Sequence, residues 1–255
     1  MSDPRLAVID RRLDAVRQII AVTGGKGGIG KTLVSSTLAL ALSASGRRAG
    51  LLDLDFTGPC AHLVLGGRRA FPQEDRGILP QLVALASGEV EFMSVACFTG
   101  DDPAPLRGAD LTNALIELLA ITRWGELDTL VIDMPPGLGD MALDAVQVLP
   151  RAEYVVVATS AQLVTQTVRR TLALLQRLDR TVSGVVENMV KASTGVSTGA
   201  SIRVSPPVAT LAAQHQVATL GALPADADIE LALGQPTQLL ATRFGMAVRS
   251  VVPQL

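Results

Sequence analysis

The chain has 255 residues, of which 48% are apolar and 18% charged, with a formal net charge of −2. That balance excludes a basic footprint for nucleic acid and an acidic tail, and with only 3% aromatics it implies a core of Ala, Leu and Val. Two cysteines, Cys60 and Cys97, are too few for a disulfide scaffold. The charged stretch Met1 to Arg17 does not read as a secretory leader and no apolar run approaches a membrane span, so the expected location is the cytoplasm.

Leu6, Ile9, Leu13 and Val16 recur at helical spacing and predict an amphipathic helix over 5–17. Gln18 to Val22 is a β-branched run ending in glycines and reads as the first strand. Lys31 to Ser45 follows as a helix with Leu33, Thr37, Leu40 and Ala44 on one face and Gly46 as its C-cap. Buried strands are expected at Ala49–Leu54, Asp128–Asp133, Tyr154–Ser160, Val182–Glu187 and Val217–Leu223. Helices are expected at about 105–123, 139–149, 162–178 and 206–214, with a last one over 237–252. Residues 190–205, rich in Ser, Thr and Gly, read as a mobile loop. Strands alternating with helices predict a three-layer α/β/α fold on a mostly parallel, twisted sheet.

Gly25-Lys26-Gly27-Gly28-Ile29-Gly30-Lys31-Thr32 satisfies the phosphate-loop pattern GxxxxGK[ST] in the required place, after a strand and before a helix. Glycines let backbone N–H groups turn toward an anion, and the helix that follows offers its N-terminus. Gly25, Gly27, Gly28, Ile29, Gly30, Lys31, Thr32 and Leu33 are therefore expected to hold the phosphates of ATP or ADP. Lys31 would reach the β- and γ-phosphates, and the Thr32 hydroxyl would reach Mg²⁺. The whole of 1–255 then reads as a single P-loop ATPase domain. Of the 22 basic residues only Lys26, Lys31 and Lys191 are lysine, and two of these lie in this one loop. A compact, flexible ammonium suits that place better than arginine's planar fork.

Two further acidic elements sit where ligands bind in open α/β sheets, at the carboxyl ends of strands. Leu51-Leu52-Asp53-Leu54-Asp55 puts Asp53 and Asp55 on alternate strand positions, where they could share a face and either orient an attacking water or hold the magnesium shell. Leu130-Val131-Ile132-Asp133 is an apolar strand ending in an acid, the Walker B arrangement, with Asp133 as a Mg²⁺ contact made through water. Met134-Pro135-Pro136-Gly137-Leu138-Gly139-Asp140 joins a stiff turn to a flexible one, as befits a loop that senses the γ-phosphate.

Together these motifs resemble the Mrp/ApbC group of P-loop ATPases, within the larger family of MinD, ParA and the nitrogenase iron protein. The loop from Gly24 to Thr32 looks like that family's deviant Walker A motif. The narrower resemblance lies in Asp53-Leu54-Asp55-Phe56-Thr57-Gly58-Pro59, Trp124-Gly125-Glu126-Leu127-Asp128, Asp133 to Asp140, and Val185-Val186-Glu187-Asn188-Met189. The resemblance implies a homodimer in which Lys26 crosses to the partner's nucleotide and Asp55 positions the hydrolytic water. Asn188 would read the adenine edge, with Pro224-Ala225-Asp226 closing over the base. Relatives that carry an iron–sulfur cluster have Cys-x-x-Cys shortly after Glu-Asn-Met. Here Val190 to Ser197 holds no cysteine, which argues against a resident cluster held in the usual way.

The remaining candidates have plain readings. Cys60 and Cys97 are expected to be small buried hydrophobes, Cys97 in a strand. His62 and His215 match no ligand spacing. Arg169, Arg170, Arg177 and Arg180 read as a solvated helix face rather than a DNA-binding one, and the tail as a docked core helix rather than a membrane helix. Two functions follow. One is an ATPase of iron–sulfur or metal-cofactor assembly that serves a client protein. The other is a MinD- or ParA-like switch that recruits a partner, membrane or nucleoid.

Overall fold

The computed structural model describes residues 3–67, 73–99, 108–191 and 203–255. Most of the loop expected at 190–205, and the start of the helix expected at 105–123, lie outside these residues.

The first helix, α1 (Pro4–Leu13), is capped by Asp3, whose carboxylate accepts from the Arg5 amide at 2.9 Å. Pro4 opens it, and Arg11 and Arg12 favour its carbonyl end. It stops short of residue 17 because Val16 already pairs with Leu127 in β1 (Val16–Gly24). Val16 fits both periods, and the parallel ladder wins. Next, α2 (Lys31–Ala44) ends at Ser45. Gly46 follows in the left-handed region, at φ +92°, with its N–H on the Ser43 carbonyl at 2.9 Å.

After β2 (Ala49–Asp53) and the short α3 (Ala61–Leu65) comes a hairpin that the sequence reading passed over, β3 (Gln81–Leu85) and β4 (Gly88–Ser94). Its signal was present in Glu89-Val90-Glu91-Phe92, where Val90 and Phe92 are buried and the acids alternate with them. Cys97 then lies in the short helix α4 (Ala96–Thr99) and not in a strand. Ser94 Oγ accepts from the Ala96 amide at 3.2 Å and turns the chain there.

The next elements fall close to their expected bounds: α5 (Ala109–Ile121), β5 (Leu127–Asp133), α6 (Asp140–Val148), β6 (Glu153–Ala158), α7 (Gln162–Arg177), β7 (Val182–Val190), α8 (Pro206–Gln214) and β8 (Thr219–Pro224). A short helix, α9 (Asp228–Ala232), follows. The tail is two helices, α10 (Pro236–Ala241) and α11 (Arg243–Val251), and a 3₁₀ turn at Val252–Gln254. Thr242 breaks it, because its hydroxyl caps α11 by accepting from the Gly245 amide at 2.9 Å. Gly245 permits the sharp corner, since a Cβ there would lie 2.1 Å from the Leu239 carbonyl oxygen.

The eight strands form one sheet in the order β3-β4-β2-β5-β1-β6-β7-β8. Only the β3–β4 pair is antiparallel. Helices α2, α10 and α11 pack together over one face, and α1, α5, α6, α7 and α8 cover the other. This is the three-layer, mostly parallel α/β architecture that the alternation of strands and helices predicts. The central strands are buried on both sides, so β6 reads Tyr-Val-Val-Val-Ala with each residue at most 1% exposed. Strand order reverses around β1, with β2 and β5 to one side and β6, β7 and β8 to the other. Ligands in such sheets bind outside the strand ends at that reversal. Among the described residues no helix is long and apolar enough to cross a membrane.

Candidate functional site

The loop between β1 and α2 lies at the reversal point. Gly28 and Gly30 have φ of +77° and +84°, a region that glycine enters without steric cost. The loop is also held too tightly for side chains. A Cβ on Gly25 would lie 2.5 Å from the Thr167 hydroxyl of α7, and one on Gly30 would lie 2.3 Å from Asn188 Nδ2. Gly30 caps α2 without a side chain, and no acid occupies the first turn. The first amides of α2 therefore face the loop without an internal acceptor, which makes a ready anion site.

Lys31 is buried, at 6% exposure, in the first turn of that helix. Burial pushes its ammonium below the usual lysine range, while the carboxylates of Asp133 and Asp55 pull it back up. Lys26 is exposed at the other end of the loop, and no described residue pairs with it.

Three aspartates surround this cradle, and the structure gives each a different environment. Asp53 is wholly buried. Its Oδ1 accepts from the Asp55 amide at 3.0 Å, and its Oδ2 from the Ser94 hydroxyl at 3.1 Å and the Ala61 amide at 3.4 Å. Asp55 lies beyond the end of β2, so the expected strand alternation does not apply and the two carboxylates part. Asp55 Oδ1 accepts from the Thr57 hydroxyl at 2.6 Å and from the amides of Thr57 and Gly58, each at 3.2 Å. No hydrogen bond from the described residues reaches its other oxygen.

Asp133 is also wholly buried, but among the described residues no donor meets either of its oxygens in hydrogen-bond geometry, the hydroxyls of Thr32 and Ser35 lying near without that alignment. Burial raises its pKa above the usual carboxylate range. The Thr32 hydroxyl, the Lys31 ammonium and the Ser35 hydroxyl lie near enough to offset part of that rise. Burial raises Asp53 too, and the like charge of Asp133, its register partner on β5, adds to the effect. A buried carboxylate without a donor is costly and calls for an explanation. A hard cation in the first turn of α2 would supply one. The donor set fits Mg²⁺, with Thr32 Oγ1, the Asp133 carboxylate and room for phosphate oxygens and water. Beyond Asp133 the chain bends through Pro135 and Pro136 and through Gly137 at φ +77° into α6. This segment faces the cradle, with Pro136 Cβ 4.0 Å from where a Cβ on Gly27 would sit.

The ends of β7 and β8 form the other flank. Asn188 is buried and donates from Nδ2 to the Ile29 carbonyl at 2.9 Å, which ties β7 to the phosphate loop. Met189 has φ +59°, a backbone state that costs a branched or bulky residue about 1–2 kcal/mol. Pro224 ends β8, and the Ala225 amide donates to the Val190 carbonyl at 2.9 Å. The Asp226 side chain is wholly buried and accepts from the Phe244 amide at 3.1 Å, the Asp228 amide at 3.3 Å and Arg243 at 3.3 Å. Those donors hold its pKa below the usual range in spite of its burial.

Among the described residues no group of three or more His, Cys, Asp or Glu could hold a metal ion. Cys60 is exposed beside Pro59, not buried as expected, because the loop after β2 turns outward before α3 begins. Cys97 is buried and accepts from Gln81 Nε2 at 3.6 Å. On α7, Arg169 binds Gln214, and Arg180, just beyond the helix end, binds the Pro150 carbonyl. The tail helices bury Leu239, Leu240, Phe244, Val248 and Val251. Sequence reasoning missed Ser94, which holds Asp53, and Thr167, which packs on Gly25. Only the spatial neighbour of each gives it meaning.

Residues 15–252 match the family model described as the NUBPL iron-transfer P-loop NTPase, of the ParA group. An iron–sulfur cluster carrier protein of Pseudomonas fragi is 39% identical over 178 residues, covering 68% of this chain and 61% of the relative. One of Escherichia coli K12 is 36% identical, covering 69% of this chain and 48% of the relative. The chain thus spans about half to three-fifths of the length of these relatives. A nucleotide-binding protein of Archaeoglobus fulgidus in complex with ADP superposes with a TM-score of 0.74 at 28% identity, over 92% of both chains. The cell division ATPase MinD of Pyrococcus furiosus superposes with a TM-score of 0.64 at 19% identity, over 93% of this chain and 98% of that one, a likeness of fold.

Proposed function

The chain belongs to the NUBPL iron-transfer P-loop NTPase family, the group of the iron–sulfur cluster carriers, and from that premise we propose that it is a Mg²⁺-dependent ATPase of iron–sulfur or metal-cofactor assembly that works as a homodimer. The observation that carries the reading is the Asp133 carboxylate, wholly buried and without an aligned hydrogen bond among the described residues, beside Lys31 and Thr32 at the N-terminus of α2.

In this reading the amides of Gly25 and of residues 27–33 bind the phosphates, and Lys31 neutralises the charge that develops on them. Thr32 and Asp133 hold Mg²⁺, which when bound screens the β- and γ-phosphates. Asp55 keeps one oxygen in its turn and aims the other at the attacking water. Asp53 shapes the loop that carries Asp55 and leaves the metal to Asp133. Asn188 and Pro224 border the base, while Asp226 fixes the segment around it by capping α11.

Lys26 is exposed on the loop and has no partner among the described residues. The exposed apolar side chains Leu63, Leu138 and Leu163 lie in the chain that follows β2, β5 and β6, and Met189 lies at the end of β7, toward the same edge of the sheet. Exposed apolar side chains on the sheet edge that also carries the Lys26 loop suit a second copy that brings its own nucleotide. Hydrolysis would then release the segment from Asp133 to Asp140 and open the dimer. The stretch after Met189 lacks the cysteines that the family's cluster carriers are expected to have. The chain then serves a client as scaffold or energy-coupling subunit, and a partner supplies the cluster ligands.

Lys26→Ala tests the dimer. It should keep nucleotide affinity within about tenfold yet lose most turnover and the ATP-dependent shift in light scattering. Wild-type turnover in Lys26→Ala, or no nucleotide-dependent association of the wild type, would sink the homodimer mechanism.

A further inference from the structure

Strand β7 leaves the regular ladder at its last residues. Its pairing with β8 changes register between Glu187 and Val190, and Met189 adopts a left-handed backbone there. Such a conformation persists only where surrounding contacts hold it. Two neighbouring side chains do so, from opposite faces of the sheet. Asn188 reaches the phosphate loop through Ile29 on the α2 side. Glu187, 1% exposed, turns to the other face and accepts from both the amide and the hydroxyl of Ser205, the hydroxyl at 2.7 Å. Ser205 is the residue before α8, and its hydroxyl gives up the usual capping bond to make this contact.

We infer that Glu187 is a positioning residue for nucleotide binding: it anchors the end of β7 to the start of α8 and so aims Asn188 at the phosphate loop. This rests on the reading of Asn188 and the end of β8 as the base-side flank. Ser205 supplies both hydrogen bonds to the Glu187 carboxylate among the described residues, so losing this pair leaves the strand end to its ladder and to Asn188 alone. Release there frees Asn188 from Ile29. It also shifts Val190, whose carbonyl holds the Ala225 amide, so the segment from Pro224 to Asp226 moves with it. The phosphate loop has other supports, close packing of Gly25 on Thr167 of α7 and continuity with its own helix. The damage should therefore fall on the base end of the nucleotide and spare the phosphate end.

The test uses calorimetry of the whole chain with three probes: ATP, ADP and inorganic triphosphate. Glu187→Gln replaces one of the two oxygens that accept from Ser205 with an NH₂ donor and removes the charge that strengthens both bonds. It should weaken ATP and ADP alike by about tenfold, leave triphosphate affinity unchanged, and keep kcat at saturating ATP within about twofold. Ser205→Ala, the milder change that keeps the amide bond, should weaken both nucleotides about threefold, and the double variant should be no worse than Glu187→Gln alone. If Glu187→Gln fails to fold, Ser205→Ala decides by the same pattern. A wild type that binds no ATP would refute the nucleotide reading itself. A wild type that binds ATP, with variants that bind it equally well or lose triphosphate in step with ATP, would overturn the role given to Glu187.

Discussion

Asp53 and Asp133 end adjacent strands, pair in register and are equally buried, yet the chain treats them in opposite ways. Asp53 has the Asp55 amide, the Ala61 amide and the Ser94 hydroxyl. Asp133 has no aligned hydrogen bond from the described residues, only the nearby ammonium and hydroxyls of the first turn of α2. Position at the ligand edge of a sheet therefore does not assign a role. An acid whose oxygens are satisfied internally organises a loop, and one whose oxygens are left bare calls for another explanation, which the proposed reading finds in a bound cation. The second is costly until a cation arrives.

The largest expected effect breaks this pair apart by chemistry. Asp133→Asn should lower Mg²⁺-dependent turnover by about 10²–10³-fold, the scale of losing one preorganised electrostatic group, while the nucleotide-free protein stays at least as stable as the wild type. Turnover within a few-fold of wild type in a steady-state phosphate-release assay would return Asp133 to an ordinary core position. The next effect is on stability. Asp53→Ala leaves two buried donors and one half-buried donor without an acceptor and should lower the unfolding free energy by about 1–3 kcal/mol in urea titration. A variant as stable as the wild type would mean that Asp53 does not organise the loop.

The smallest effect is a pH dependence. Burial raises both acids above 3.8, so the folded state binds protons more readily than the unfolded chain. Their contribution is fully present below the ordinary carboxylate value and is lost as pH rises through the raised values of the folded state. Nucleotide-free wild type should therefore lose thermal stability from about pH 5 to about pH 8, and Asp133→Asn should lose less over the same span. Equal slopes would show that Asp133 carries no uncompensated charge.

The contrast between the two acids was not legible in the sequence. Leu-Asp-Leu-Asp and Val-Ile-Asp look alike as apolar strands ending in carboxylates. Ser94, which settles the difference, lies 41 residues from Asp53 on a hairpin that the strand count had omitted. What could be read was local. The glycine loop, its lysines and the alternation of strands with helices predicted the parallel sheet and the cradle, because spacing along one segment determines both. The end of β7 was half legible. Glu187-Asn188-Met189 stood out as a motif, but a left-handed methionine and a contact with Ser205 depend on chain that returns from elsewhere. The tail failed for a similar reason, since the Thr242 cap and the close approach at Gly245 divide a stretch whose apolar spacing runs unbroken.

The central claim is that this loop binds ATP through Lys31 and the N-terminus of α2. Calorimetric titration of ATP with Mg²⁺ into wild type and Lys31→Ala tests it most directly. Losing a charge-assisted contact should weaken binding by about 1.5–3 kcal/mol, roughly 10- to 150-fold. Equal affinity of the two proteins for ATP would contradict the account.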